Sequence, residues 1–444
     1  MTANTEWLDR SLSAVWHPCT QMKHHPTLPL VPVARAEGVW LEDFEGKRYL
    51  DGISSWWVNL FGHGNPRINA AISDQLSKLE HVMLAGFTHQ PAIELAERLS
   101  AKTDNALGHA FFASDGASAT EIALKMSFHA WQNAGQTQKQ EFVCLEGSYH
   151  GETVGALSVT DIALFRDAYA PLIRNEHVHL APSPDARLAQ SGETAEDVAN
   201  RAADALEKLF VAREGKIAAV IVEPLVQCAT GMAMHHPRYL QRVRALCDQY
   251  QAHLICDEIA VGFGRTGTFF AHEQAGIRPD LLCLSKGITG GYLPLSVVLS
   301  SNIIYQAFWD DDVRRGFLHS HSYTGNPLAC RAALATLDIF DTENTLERNR
   351  QLSAVITAAL QPLATHPSIR NFRNTGMIWA MDVDTQMPDF SRRYFAAAMA
   401  RGLLVRPIGN TVYLMPPYVL SHTDAQWVAD QMSSALNATL GASS

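Results

Sequence analysis

The stretch LLCLSKGITGG, residues 281–291, decides how this chain is read. Apolar residues and one serine lead to a single lysine, Lys286, and glycines crowd in behind it. A short apolar run without alternation is the pattern of a strand covered on both faces, as in parallel sheets flanked by helices. HAFFAS (109–114), EFVCLEG (141–147), KIAAVIVEP (216–224), HLICDEI (253–259) and LSVVLS (295–300) read the same way. Helical stretches lie between several of them. DGASATEIALKMSFHAW (115–131) carries a capping-box pattern, Ser118-x-x-Glu121, and PRYLQRVRALCDQYQ (237–251) reads as another helix. Strands alternating with helices predict an α/β fold with a mostly parallel, doubly wound sheet.

Around that centre the pattern changes. The first sixty residues read as strands and turns, with a hairpin in GVWLEDFEGKRYLDG around Glu45-Gly46. Helices are expected from Asn65-Pro66, with Ile68, Ile72 and Leu79 at helical spacing, from near Pro91, and after Asn326-Pro327. Residues 185–205 read as a loop entering a helix. Near the C-terminus, LLVRPIGNTVYLMPP (403–417) reads as a second hairpin. The expected division is a smaller α+β domain from residues 1–60 and 335–444, and a large domain from residues 61–334.

Composition narrows the class. The 444 residues are 47% hydrophobic and 18% charged, an ordinary globular balance. Net charge is −10 with no polybasic run, which argues against nucleic acid and anionic membrane as partners. The N-terminal MTANTEWLDRSLSAVW lacks the basic and apolar regions of a signal peptide, and no apolar run is long enough to span a bilayer. The 7 cysteines are scattered, with Cys144, Cys256 and Cys283 inside apolar runs, so a reduced, cytoplasmic enzyme is expected.

Ligands of open α/β sheets bind beyond the carboxyl ends of the strands. The residues expected there are Lys286, Asp257-Glu258, Glu223, the run Glu146 to Gly151 with Tyr149 and His150, and Ser114 to Ser118 at a helix start. Pyridoxal phosphate uses this whole set. It needs a lysine for its aldehyde, a carboxylate for its pyridine nitrogen, an aromatic face, and backbone N–H groups at a helix N-terminus for its phosphate. A desolvated lysine can also move a proton between carbons. Taken singly, a lysine at a strand end is more often a surface cation, and an aspartate after a strand more often a cap. The combination carries the reading.

CDEIAVGFGRTG (256–267), LSKGITGG (284–291), GSYHGET (147–153) and HSYTGNPLAC (321–330), in their order, resemble class III aminotransferases of the pyridoxal phosphate fold type I. WHPCTQM (16–22), DGISSWWVNLFGHGNP (51–66) and RPIGNTVYLMPPY (406–418) are most similar to the branch that serves biotin synthesis. That branch moves an amino group from S-adenosyl-L-methionine to 8-amino-7-oxononanoate. The resemblance implies that Lys286 binds the cofactor aldehyde, Asp257 faces the ring nitrogen and Tyr149 stacks near the ring. Asp115, Gly116 and Ala117 would hold the phosphate, with His150, Glu223, His321 and Ser322 also at the cofactor. Ser322 would come from the neighbouring subunit of a homodimer with shared active sites. Trp56, Cys19, Tyr149, Lys286 and Ser320 would line the substrate pocket, and Arg406 would pair with the acceptor carboxylate. Cys19 stands where a tyrosine is frequent, and Ser320-His321-Ser322 replaces a Gly-Pro-Thr pattern. Lysine as donor, or a class III ω-aminotransferase acting on diamines or ω-amino acids, shares the same cofactor residues.

Two other classes have partial signals. GFGRTG (262–267) is a literal G-x-G-x-x-G with Asp280 beyond it, the fingerprint of a nicotinamide-dependent dehydrogenase. Asp257-Glu258 would then set negative charge against a pyrophosphate, and TFFAHEQAGI offers no amphipathic helix. His24-His25, His235-His236 and His319-x-His321 are pairs without a zinc motif, so no metal is expected. A non-catalytic binding protein on the same fold would be expected to lose Lys286 or Asp257.

Overall fold

The computed structural model describes residues 2–28 and 30–441. The chain forms two compact units, Met1–Pro66 with Glu347–Ser444, and Arg67–Leu346.

The second unit is built on a seven-stranded sheet. Its strands in chain order are β1 (His109–Ala113), β2 (Glu141–Leu145), β3 (Val178–Ala181), β4 (Ile217–Val222), β5 (His253–Asp257), β6 (Leu281–Leu284) and β7 (Ser296–Ser300). They lie side by side as β1-β7-β6-β5-β4-β2-β3. The pairs from β6 to β3 are parallel, and β7 alone runs against both of its neighbours. The α/β, mostly parallel fold expected from the apolar runs is therefore present. All residues of β4, β5, β6 and β7 are buried, and each Ile, Leu or Val there contributes roughly 1.5–3 kcal/mol by leaving water.

Helix Gly116–Asn133 shows how local sequence meets that sheet. Its Ala119, Ile122, Ala123, Met126 and Ala130 recur at helical spacing and join the same core as Ile221, Ile255, Leu281 and Val298. Its N-cap is Asp115, whose carboxylate accepts from Ser118 N–H at 2.9 Å, so the cap lies three residues before the capping box expected at Ser118. Glu121 instead accepts from Gly155 N–H at 2.8 Å. β3 was not legible as a strand: it is a short edge strand with only Ala181 fully buried. Residues 185–205 hold a 3-10 turn and the start of helix Ala195–Ala212, closed by a Thr194/Asp197 capping box.

The first unit has two smaller sheets. One orders Val33–Glu37, Trp40–Asp43, Arg48–Asp51 and Leu403–Leu404; the other orders Ile369–Thr375, Ile378–Val383 and Thr411–Leu414. The hairpin around Glu45-Gly46 forms, with Trp40 opposite Leu50. The second expected hairpin closes at its turn, where Ile408 and Thr411 each donate an N–H to the other's carbonyl at 2.9 Å, but its arms do not pair along their length. Leu403–Leu404 runs parallel to Arg48–Asp51, while Thr411–Leu414 pairs with Ile378–Val383, so the two segments belong to different sheets. Apolar alternation on both sides of a Gly-Asn turn cannot distinguish these outcomes, because partner choice is a long-range property. No helix among the described residues is long and apolar enough to cross a membrane.

Candidate active site

The carboxyl ends of β1, β2, β4, β5 and β6 collect the chemistry. β5 ends on Asp257, which is 4% exposed. Its Oδ1 accepts from Ile259 N–H at 3.0 Å, and its Oδ2 lies 2.7 Å from His150 Nδ1. His150 is buried in turn, with its N–H donating to Thr160 Oγ1 at 3.0 Å and its carbonyl accepting from Thr120 at 2.8 Å. Its Nε2 is buried with no hydrogen-bond partner. Asp257 is thus aimed by a side chain from the β2 loop, a link between residues far apart in sequence.

β6 delivers Lys286. The strand ends at Leu284, Ser285 caps a 3-10 turn over Lys286–Thr289, and Lys286 itself takes φ +46°. A side-chain-bearing residue in the left-handed region costs on the order of 1 kcal/mol or more. Ser285 Oγ donates to Leu295 O at 2.9 Å, and Ile288 N–H to Ser285 O at 3.1 Å, which hold the bend. Gly290 and Gly291 follow at φ +63° and +88°, so the glycines after the lysine answer a backbone demand as the chain reverses. Lys286 is half-buried at the strand ends. Desolvation there lowers its pKa, opposed by the charge of Asp257.

Glu223, at the end of β4, accepts from Tyr149 N–H at 3.0 Å and Cys228 N–H at 3.1 Å. Burial pushes its pKa up to about 7, with His150 opposing and Asp257 reinforcing the shift. Tyr149 is half-buried; its hydroxyl donates to Glu152 at 2.8 Å and its ring meets Phe165 edge-on. The loop bearing Tyr149 and His150 approaches the start of helix Gly116–Asn133 very closely. A Cβ on Gly151 would lie 2.6 Å from Ala117 Cβ, and one on Gly116 would lie 2.9 Å from Ile259 Cγ2. Gly116 and Ala117 occupy the first two helical positions, where N–H groups have no carbonyl a turn behind them.

The 316–325 loop adds His321, whose Nε2 is hydrogen-bonded to Ser114 Oγ of the same chain, while Ser320 and Ser322 are exposed. His319 Nδ1 meets Lys125 Nζ at 2.9 Å and His235 Nε2 meets Glu223 O at 3.2 Å, so these histidines have hydrogen-bonding roles. GFGRTG forms turns followed by the 3-10 segment Ala271–Ala275, with no α-helix opening on it.

The remaining expected residues belong to the first unit. Trp56 is 44% exposed, and the Arg406 guanidinium lies 4.8 Å from its ring centroid. Arg406 Nη2 donates to the carbonyl of Cys19 at 2.9 Å. A cavity of about 550 Å³ beside them is lined by Cys19, His24, Leu28, Arg392, Phe395 and Arg406. Cys19 therefore serves Arg406 through its backbone carbonyl and also lines the cavity.

Sequence reasoning brought Lys286, Asp257, Glu223, Tyr149 and His150 to one sheet edge, and the structure places them there. Ser114, expected at the helix start, is the partner of His321; Thr120 and Thr160, which hold His150, carried no local signal and were missed.

The class-III aminotransferase family model matches residues 20–436. The adenosylmethionine-8-amino-7-oxononanoate aminotransferase of Helicobacter pylori is 46% identical over 94% of this chain and 94% of its own length. That of Synechococcus elongatus is 42% identical over 93% of this chain and 96% of its own. Among solved structures, the Methanocaldococcus jannaschii enzyme of the same name superposes with a TM-score of 0.90 at 31% identity, covering 98% of this chain and 99% of that one. An (S)-enantioselective ω-transaminase from Thermomicrobium roseum gives 0.93 at 32% identity, covering 99% and 100%.

Proposed function

This chain belongs to the class-III aminotransferases, and from that premise we propose that it moves an amino group from S-adenosyl-L-methionine to 8-amino-7-oxononanoate. The product would be 7,8-diaminononanoate, in biotin synthesis. One observation carries the reaction class: a desolvated Lys286 amine shares the sheet edge with a buried Asp257 that His150 holds at 2.7 Å. The substrate pair is supported by the names of the relatives and by Arg406 lying over Trp56.

The residues present suit pyridoxal phosphate. Gly116 and Ala117 offer N–H groups at a long helix's positive end, close to the Tyr149 loop, and His150 Nε2 is a buried polar atom without a partner. When bound, the cofactor supplies an aldehyde that takes up amines and a ring that withdraws electrons from the amine-bearing carbon. Asp257 would hold the proton of the ring nitrogen, Tyr149 would cover a ring face, and Asp115, Gly116 and Ala117 would hold the phosphate. Lys286 Nζ, whose charged form is disfavoured by burial, takes the proton from the donor's amine-bearing carbon. Arg406 pairs with the acceptor carboxylate through its planar fork, and Trp56 covers the aliphatic chain. Ser322 would reach the phosphate across a homodimer. A cytoplasmic location goes with this reading, supported by cysteines that are all free.

The test is a single half-reaction on cofactor-loaded protein, following the visible absorption of the bound cofactor. Adenosylmethionine, lysine and a plain diamine are added separately. Bleaching by adenosylmethionine alone is expected. Bleaching by lysine alone would move the donor assignment, and bleaching by the diamine alone would favour the ω-aminotransferase reading, whose fold is equally close. Protein that takes up no cofactor would end the proposal.

A further inference from the structure

The most unusual backbone in the first unit lies directly under Trp56. Ser54, Ser55, Trp56 and Trp57 have φ of +52°, +46°, +72° and +71°. Trp57 N–H donates to Ile53 O at 2.8 Å and Val58 N–H to Ser54 O at 3.0 Å, each four residues back. This is a turn of left-handed α-helix made without glycine. Each residue in it presses its Cβ toward the following carbonyl oxygen, so the turn persists only where its surroundings over-determine it.

Asp51 is the centre of that constraint. It is fully buried, and its Oδ1 accepts from Ser55 N–H at 2.8 Å. Its Oδ2 accepts from the Ser55 hydroxyl at 2.6 Å and lies 3.0 Å from His63 Nε2. The Asn59 amide donates to His63 Nδ1 at 3.3 Å, which leaves Nε2 as the ring's donor toward Asp51. At the flanks, Ser54 Oγ donates to Met415 O at 2.8 Å and the Trp57 indole to the Tyr413 hydroxyl at 3.1 Å. The two adjacent tryptophans part company as a result. Trp57 is 6% exposed and anchored, while Trp56 is 44% exposed beneath Arg406.

We propose that Asp51, backed by His63, is a positioning residue that locks this left-handed turn so that Trp56 and Arg406 form a preset seat for an aliphatic chain ending in a carboxylate. The inference rests on the assignment of Arg406 and Trp56 to the acceptor, and adds what holds them ready. A buried carboxylate is tolerated only when its lone pairs are taken, and here the turn itself supplies two of the three donors. Turn and carboxylate therefore stand or fall together. Arg406 is steadied from below by the Trp56 ring and from the side by the Cys19 carbonyl, which leaves further N–H groups of its fork for a ligand.

The test is calorimetric titration of the holoenzyme with nonanoate, using nonan-1-ol as the probe without a carboxylate. Wild type is expected to prefer nonanoate, and Arg406→Gln to abolish that preference. Asp51→Ala is expected to weaken nonanoate about tenfold by letting the turn relax into right-handed or extended backbone. Ser55→Gly in the Asp51→Ala background is expected to recover most of the loss, because glycine takes positive φ freely. Should Asp51→Ala not fold, Asp51→Asn with and without Ser55→Gly makes the same comparison. Nonanoate binding that ignores Arg406→Gln overturns the carboxylate seat and this inference together. Binding that needs Arg406 but ignores the Asp51 variants overturns the positioning role alone. So does a loss that Ser55→Gly leaves unrepaired, since that marks general damage to the core.

Discussion

Two buried groups at the sheet edge set the behaviour of single residues. Lys286 lies where desolvation disfavours its ammonium form, a direction that suits a proton acceptor. Lys286→Ala is expected to slow the amine half-reaction by roughly 10²–10⁴-fold, the usual contribution of a positioned general base, while phosphate-anchored cofactor is retained. Stopped-flow absorption of the loaded variant checks both points. Glu223 gives a pH signature. Its carboxyl keeps a proton up to about pH 7 when folded, against an ordinary value of 4.5. Between those values the folded state binds more protons than the unfolded, so stability falls as pH rises through that window. Glu223→Gln removes the slope. In thermal melts of cofactor-free protein, the variant should gain on wild type from pH 5 to pH 8, by on the order of 2 kcal/mol. An unchanged difference across that range would show that Glu223 carries no such shift.

Elements matter here mainly through their ends. The N-terminus of helix Gly116–Asn133 and the Tyr149 loop approach so closely that Gly151, at φ +119°, has no room for a side chain beside Ala117. Gly151→Ala combines a forbidden contact with a left-handed φ, and should cost on the order of 2 kcal/mol of stability. It should also separate the loop from the helix N-terminus, and so loosen cofactor retention on dialysis about tenfold. A variant that melts and retains cofactor like wild type would mean that the loop and helix need not be so close. The apolar runs and the asparagine-proline signals made most elements legible. The helix cap at Asp115 and the edge strand Val178–Ala181 were not. A cap depends on which of several nearby polar residues reaches an amide, and an edge strand lacks the burial that writes an apolar run.

At the scale of the whole molecule, the chain leaves Ile303, Trp309 and Val313 largely exposed, and likewise Leu318 and Tyr323 in the loop that carries His321 and Ser322. Exposed apolar surface of this extent favours association, and a homodimer is expected at micromolar concentration by sedimentation equilibrium. Tyr323→Asp with Leu318→Asp should shift it toward monomer and reduce activity in parallel; a monomeric wild type would remove the shared-site part of the proposal. By itself the sequence determined the fold class and brought Lys286 and Asp257 to one sheet edge, because buried parallel strands must be apolar throughout and the groups at their ends interrupt that pattern visibly. Only the tertiary structure decided that Leu403–Leu404 and Thr411–Leu414 join different sheets, that His150 aims Asp257, and that Asp51 pins a left-handed turn under Trp56. Each depends on partners distant in sequence or on the sign of a backbone angle. Neither leaves a trace in the local spacing of apolar and polar residues.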